Sequence, residues 1–186
     1  MKNASSRLRS RTDLHGARAL SGREIKQLLW NGVRIINPTF PRRLTPGYYV
    51  CNTHRPEHGD GHWVAVRVNR CGWSGEFFDP YGHPPELYGL EGFLSRSVRG
   101  AWRFNDVPIQ GPESFTCGHH CVMYCALSLG GVPLEKHVAL FAGRSFAYND
   151  RLALHFVRQL RRNRKGRFSL GDTAKLQQRL LHIPTL

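Results

Sequence analysis

The seventeen residues from Ile109 to Cys125, IQGPESFTCGHHCVMYC, concentrate the chemistry of this chain. They set Cys117 at the start of an expected helix, seven residues after Gln110. Upstream lie a strand-like run, Gly61-His62-Trp63-Val64-Ala65-Val66, and then Phe77-Phe78-Asp79-Pro80-Tyr81-Gly82. A thiol attacks a carbonyl well only as thiolate, which a helix N-terminus and a neighbouring imidazolium both favour. Cys117 is therefore the expected nucleophile. His62 is the expected base, pairing with the thiolate and later protonating the leaving amine. Asp79 is expected to accept from the far ring nitrogen and fix the tautomer, as the third member of a triad does. The Gln110 amide and the Cys117 N–H are the expected donors to a tetrahedral oxyanion, each worth roughly 3 kcal/mol. Gly118 is expected to let the backbone turn tightly after Cys117.

Taken singly, each residue has an ordinary structural explanation. A lone helical Cys is most often a small buried hydrophobe, a His-Trp pair on a strand is most often structural, and Asp before Pro commonly starts a turn. Only together, in this order and with these flanks, do the four point to a thiol hydrolase. A metal site competes for the same segment, since Cys117, His119, His120, Cys121 and Cys125 crowd together. Structural zinc favours paired Cys knuckles from two loops, and here Cys51 and Cys71 stand alone. The expectation is thus no metal, with His119 and His120 on the helix surface and Cys121 and Cys125 in the core.

These motifs resemble those of the adenovirus protease (adenain) family of cysteine endopeptidases and its relatives in other DNA viruses and virus-like elements. The family carries a Gly-Val-His-Trp-like strand, a Phe-Asp-Pro-Phe-Gly-like strand end and a Gln-Gly-Pro-Asp-Ser-x-x-Cys-Gly motif. Here they read Gly61-His62-Trp63, Phe78-Asp79-Pro80-Tyr81-Gly82 and Gln110-Gly111-Pro112-Glu113-Ser114-Phe115-Thr116-Cys117-Gly118. Asn52-Thr53 and Leu160-Arg161-Arg162-Asn163 add weaker echoes, and the likeness spans roughly residues 21 to 168. It implies a viral maturation endopeptidase that cleaves capsid and core precursors at Gly-rich sites, with catalytic His62, Asp79, Cys117 and Gln110. It further implies a monomer in the virion and host nucleus, stimulated by DNA. One departure matters. The family's prototype tethers a short viral activating peptide through a cysteine between the acid and the oxyanion glutamine, yet no Cys occurs from Pro80 to Thr116. An activating peptide, where one is used, would bind here without a covalent bond.

Other function classes fit less well. A ubiquitin- or SUMO-like deconjugating protease shares the His-Trp, Asp and Gln-to-Cys-Gly layout, but those enzymes favour Asp before the nucleophile, where this chain has Thr116. A catalytically dead, DNA-packaging protein would have no use for the intact constellation.

At 186 residues and 40% hydrophobic content, one domain with its own core is expected. Residues 1–20 read as a basic arm and residues 21–186 as a single cysteine protease domain. No apolar run is long enough to span a membrane, and the N-terminal residues lack the apolar core of a secretion signal. Five cysteines without regular spacing fit a reduced protein better than a disulfide scaffold. Ser21 is expected to cap a helix over 22–30. Pro38, Pro41 and Pro46 mark a loop. Strands are expected over 48–53, 62–69, 76–79 and 102–107, and helices over 85–98, from Cys117, and over 134–141, 150–164 and 173–182. The sum is an α+β domain, a mostly antiparallel sheet flanked by helices. Combined with the resemblance, it implies a papain-like fold with its catalytic residues in rearranged chain order.

Charge is the second strong signal. Twenty-seven Lys and Arg against 13 acids leave a net charge of +14. Basic residues cluster in the N-terminal arm and in a C-terminal run, Arg158, Arg161, Arg162, Arg164, Lys165 and Arg167. Such runs bind polyanions by counterion release without reading sequence. The resemblance directs this expectation to non-specific double-stranded DNA.

Overall fold

The computed structural model describes residues 18–29, 32–36, 42–53 and 61–163. A mixed five-stranded sheet in chain order, β1 (Val33–Ile36), β2 (Gly47–Asn52), β3 (Trp63–Val68), β4 (Gly75–Phe78) and β5 (Trp102–Phe104), forms its centre. The pairs β2–β3 and β3–β4 run antiparallel, whereas β1–β2 and β4–β5 run parallel. The sheet is therefore evenly mixed rather than mostly antiparallel. The connection from β4 to β5 contains helical segments, and such a crossover returns a strand parallel to its neighbour.

The sheet is buried on both faces, which explains the near-continuous apolar composition of β3. Trp63 and Ala65 point into one core with Val50, Phe78 and the helices α1 (Gly22–Leu29), α3 (Cys117–Leu129) and α5 (Phe146–Asn163). Val64, Val66 and Val68 point the other way, against Leu44, Leu90, Phe93, Leu94 and Val98. The period-two pattern thus separates two cores rather than a core from solvent.

Local chemistry accounts for several element ends. Ser21 and Glu24 make a capping box at α1, Ser21 N–H donating to Glu24 Oε2 (3.0 Å) and Glu24 N–H to Ser21 Oγ (3.3 Å). The helix expected over 85–98 splits into a 3-10 turn, Pro85–Tyr88, and α2 (Glu91–Ser97). Gly89 sits between them at φ 64°, a left-handed conformation that ends one helical segment before the next begins. The strand expected to reach 107 stops at Phe104. α4 covers Leu134–Ala139, and α5 starts earlier than expected, at Phe146. The four-residue β1 was not anticipated; it is too short to carry a period. Residues 173–182, Pro38, Pro41 and most of the basic arm lie outside the described residues. Leu20, assigned to that arm, packs into the core, and its carbonyl accepts from Trp63 Nε1 (2.9 Å).

α3 is buried from Cys117 to Ser128, its polar His119, His120 and Ser128 included. Gly118 serves close packing rather than a turn. A Cβ there would lie 3.2 Å from Leu20 Cβ and 3.3 Å from Trp63 Cδ1, so a larger residue would press on both by a few tenths of an ångström where the helix start packs against β3. At its far end, Tyr124 is pinned over the sheet by its hydroxyl, which donates to the buried Glu76 carboxylate (2.8 Å). Among the described residues, no helix is long and apolar enough to cross a membrane.

Candidate active site

His62 immediately precedes β3, and Asp79 immediately follows the adjacent, antiparallel β4. Neighbouring strand ends thus carry the candidate base and acid to one end of the sheet. His62 Nε2 lies 2.6 Å from Asp79 Oδ1. The Cys117 thiol, on the first turn of α3, is a hydrogen-bond partner and a charge neighbour of the same ring. With Nε2 committed to Asp79, Nδ1 is the nitrogen left to face the sulfur. His62, Asp79 and Cys117, far apart in sequence, are brought together in the order a thiol triad needs.

The Asp79-Pro80-Tyr81-Gly82 segment is a tight turn built by its own residue types. Gly82 N–H donates to Asp79 O (2.8 Å), and Tyr81 N–H donates to Asp79 Oδ1 (2.9 Å). Asp at the first position and Pro at the second favour such a turn. Gly82 has φ 71°, and a Cβ would meet the Val107 and Pro108 backbone at 2.6 Å, so no other residue fits. The other carboxylate oxygen accepts from Tyr88 Oη (2.7 Å) and His83 N–H (3.2 Å). Burial would raise the Asp79 pKa, but the hydrogen bond and charge of His62, with Tyr81 and Tyr88, hold it below the usual carboxylate value.

His62 is pulled both ways. Burial disfavours the imidazolium, yet hydrogen bonds to Asp79 and Cys117 and their negative charge prevail, raising its pKa from the ordinary 6.5 to about 9. Tyr81 and Tyr88 stack near the ring, with centroids 4.6 and 5.8 Å away, where an aromatic face favours a cation. The imidazolium is therefore the resting form at neutral pH. Because the folded pKa lies above the unfolded one, this group stabilises the fold fully below about 6.5 and loses that contribution as pH rises through about 9. A Cys117-dependent reaction should lose rate over the same alkaline window, read as a falling limb of kcat/KM near pH 9. A limb near pH 7 would contradict the ion-pair assignment.

Gln110 lies on the loop leading to Cys117 and is almost fully buried. Its Nε2 donates to Ser114 O (2.8 Å) and approaches Tyr81 Oη (3.4 Å). The Pro80 carbonyl accepts from both Ile109 N–H (2.9 Å) and Gln110 N–H (3.0 Å), so the acid turn and the glutamine loop are one mechanical unit.

Two supporting residues escaped the sequence reading. Asn105 clamps the acid's backbone from both sides, its Nδ2 donating to Asp79 O (2.6 Å) and its Oδ1 accepting from Asp79 N–H (2.9 Å). Asp150 on α5 takes Thr116 Oγ1 (2.8 Å) and His120 Nε2 (3.0 Å) on the same carboxylate oxygen. Burial works to raise the Asp150 pKa, but His120, Thr116 and Ser114 bring it below its ordinary value. His119 and His120 are accordingly not surface residues but buried ones, because α3 is enclosed on every side and α5 supplies the carboxylate that makes His120 tolerable. An Asn and an Asp in unremarkable contexts carried no signal for these roles. Cys121 and Cys125 are fully buried in the core, and all five cysteines are free thiols.

Of the basic run, Arg158, Arg161 and Arg162 are exposed on α5, with Arg161 Nη2 3.6 Å from Glu24. Arg164, Lys165 and Arg167 lie outside the described residues. No family model and no curated protein matches the sequence.

Proposed function

We propose that this chain is a cysteine endopeptidase of virus maturation, cleaving capsid and core precursors at Gly-rich sites. The observation that carries this reading is the buried His62 imidazole held between Asp79 and the Cys117 thiol, with Gln110 anchored nearby. The Cys117 thiolate adds to the scissile carbonyl, and the resulting oxyanion takes hydrogen bonds from the Gln110 amide and the Cys117 N–H. His62 gives its proton to the departing amine, leaving a thioester on Cys117. The now neutral imidazole then takes a proton from water as that water attacks the thioester, and the thiolate–imidazolium pair is restored on product release. Asp79 stays ionised throughout and orients the ring.

The fold assigned to this activity is papain-like, with the order His, Asp, Cys along the chain. Its place of work is the virion and the host nucleus, as a monomer. No metal or organic cofactor is required. A non-covalent activating peptide would find room beside the edge strand β5, where a cavity of about 600 Å³ is lined by Phe104, Val107, Val138, Phe141 and Phe146 among others. Turnover of a fluorogenic Leu-x-Gly-Gly peptide, with and without double-stranded DNA, tests the whole reading. Cleavage that needs Cys117 and rises with DNA supports it. Cleavage confined to ubiquitin-like fusions would reassign the protein as a deconjugating protease.

The exposed arginines of α5 and the excess of positive charge make non-specific double-stranded DNA the proposed polyanion. If six phosphates are neutralised, affinity should fall roughly 10³-fold between about 50 and 200 mM salt. Binding measured by fluorescence anisotropy that hardly changes over this range would exclude the electrostatic mode.

A further inference from the structure

We propose that the Tyr81 phenol is a second side-chain donor of the oxyanion hole, working beside the Gln110 amide. This rests on the cysteine endopeptidase reading and adds a residue that the triad does not require. Tyr81 occupies the third position of the turn that begins with the acid, and its backbone N–H is held by Asp79 Oδ1 (2.9 Å). Its ring lies on His62, with centroids 4.6 Å apart and planes within 25°. The hydroxyl then extends past the base to the glutamine loop, 3.4 Å from Gln110 Nε2 and 3.4 Å from Ser114 O. One side chain thus touches both the base and the oxyanion amide.

The lengths of these contacts show how the hydroxyl is engaged. Gln110 Nε2 spends one hydrogen on Ser114 O at 2.8 Å, a well-formed bond. Nε2 and the Tyr81 hydroxyl oxygen approach only to 3.4 Å, beyond good hydrogen-bond distance. A hydroxyl bound so weakly can turn to a stronger acceptor at little cost. An oxyanion beside Gln110 is such an acceptor, and charge makes the bond about twice as strong as a neutral one. Burial first, and then the negative charge of Cys117 and Asp79, push the Tyr81 pKa up to about 12, so the phenol remains a donor over the working range. The proton stays on the phenol; the step is hydrogen bonding, not acid catalysis.

Tyr81→Phe keeps the ring and its stack on His62 and deletes only the donor. The expected result is a kcat about tenfold to a hundredfold lower, with KM within about twofold of wild type. Affinity for a peptide aldehyde, which forms a tetrahedral adduct on Cys117, should fall by a similar factor. The rate of Cys117 alkylation by iodoacetamide and its pH profile should not move, because they need the ion pair but no oxyanion. Turnover and aldehyde affinity both within about twofold of wild type would overturn the proposal. So would a loss of kcat matched by an equal loss of alkylation rate, which would place Tyr81 with the base alone. Wild-type protein that neither cleaves peptide nor captures the aldehyde at Cys117 would instead remove the endopeptidase reading, and this proposal with it.

Discussion

Cys117→Ala and His62→Ala should each abolish peptide turnover, by about 10⁴-fold or more, in protein that stays folded. The size of the effect follows from the absence of a substitute nucleophile. Cys51, Cys121 and Cys125 are fully buried, and burial raises the pKa of each thiol, so none can present a thiolate to a substrate. Cys71 is exposed but lies on the turn between β3 and β4. His62→Ala leaves the sulfur in place and removes both the imidazolium that stabilises the thiolate and the proton for the leaving group. Alkylation of Cys117 at neutral pH, resolved from Cys71 by peptide mapping, should slow in that variant. Asp79→Asn should cost less than loss of Cys117, since an amide can still hold the ring. Residual turnover of more than about one per cent in Cys117→Ala, set against that loss, would sink the assignment of the nucleophile.

Gln110→Ala should lower kcat by roughly 10² to 10³, equivalent to about 3 to 4 kcal/mol of transition-state stabilisation, with KM little changed. The amide is anchored in advance, with one hydrogen on Ser114 O and the backbone N–H on Pro80 O. It therefore needs no reorganisation when negative charge develops on the substrate oxygen. The fold should tolerate the change. Among the described residues, the side-chain oxygen of Gln110 has no hydrogen-bond partner, so its removal relieves one buried polar atom. The loop remains tied to the acid turn by backbone bonds to Pro80 O. Steady-state kinetics with thermal unfolding as the control decide the matter. An unchanged rate in a well-folded variant would take Gln110 out of the mechanism.

Much of the local structure was legible because it is written in nearest-neighbour chemistry. Ser21 announces the start of α1 as its cap, and Asp79 before Pro80 announces a turn by residue type alone. Strands β2, β3 and β4 and the helix from Cys117 lie within a residue or two of where the apolar pattern puts them. What escaped was set by partners distant in the chain. The alternating valines of β3 suggest one buried face, but α2 and its flanks cover the second. β1 exists only because β2 pairs with it, and the helix read over 85–98, weakened there by Gly89 and Gly92, is split at Gly89.

The sequence by itself determined the identities and the chain order of the candidate site residues, because a thiol, an imidazole, a carboxylate and an amide with these flanks have few other uses in common. Only the tertiary structure decided how they meet. Antiparallel pairing brings the His62 and Asp79 strand ends together at 2.6 Å, and Gly118 lets α3 press its first turn against the same strand. The supports are likewise tertiary. Asn105 holds the acid from 26 residues away, and Asp150 holds Thr116 from 34 residues away. A hydrogen bond between distant residues leaves no period and no local motif in the chain. Its existence depends on how the layers pack, which is why the chemistry could be read early and its scaffolding could not.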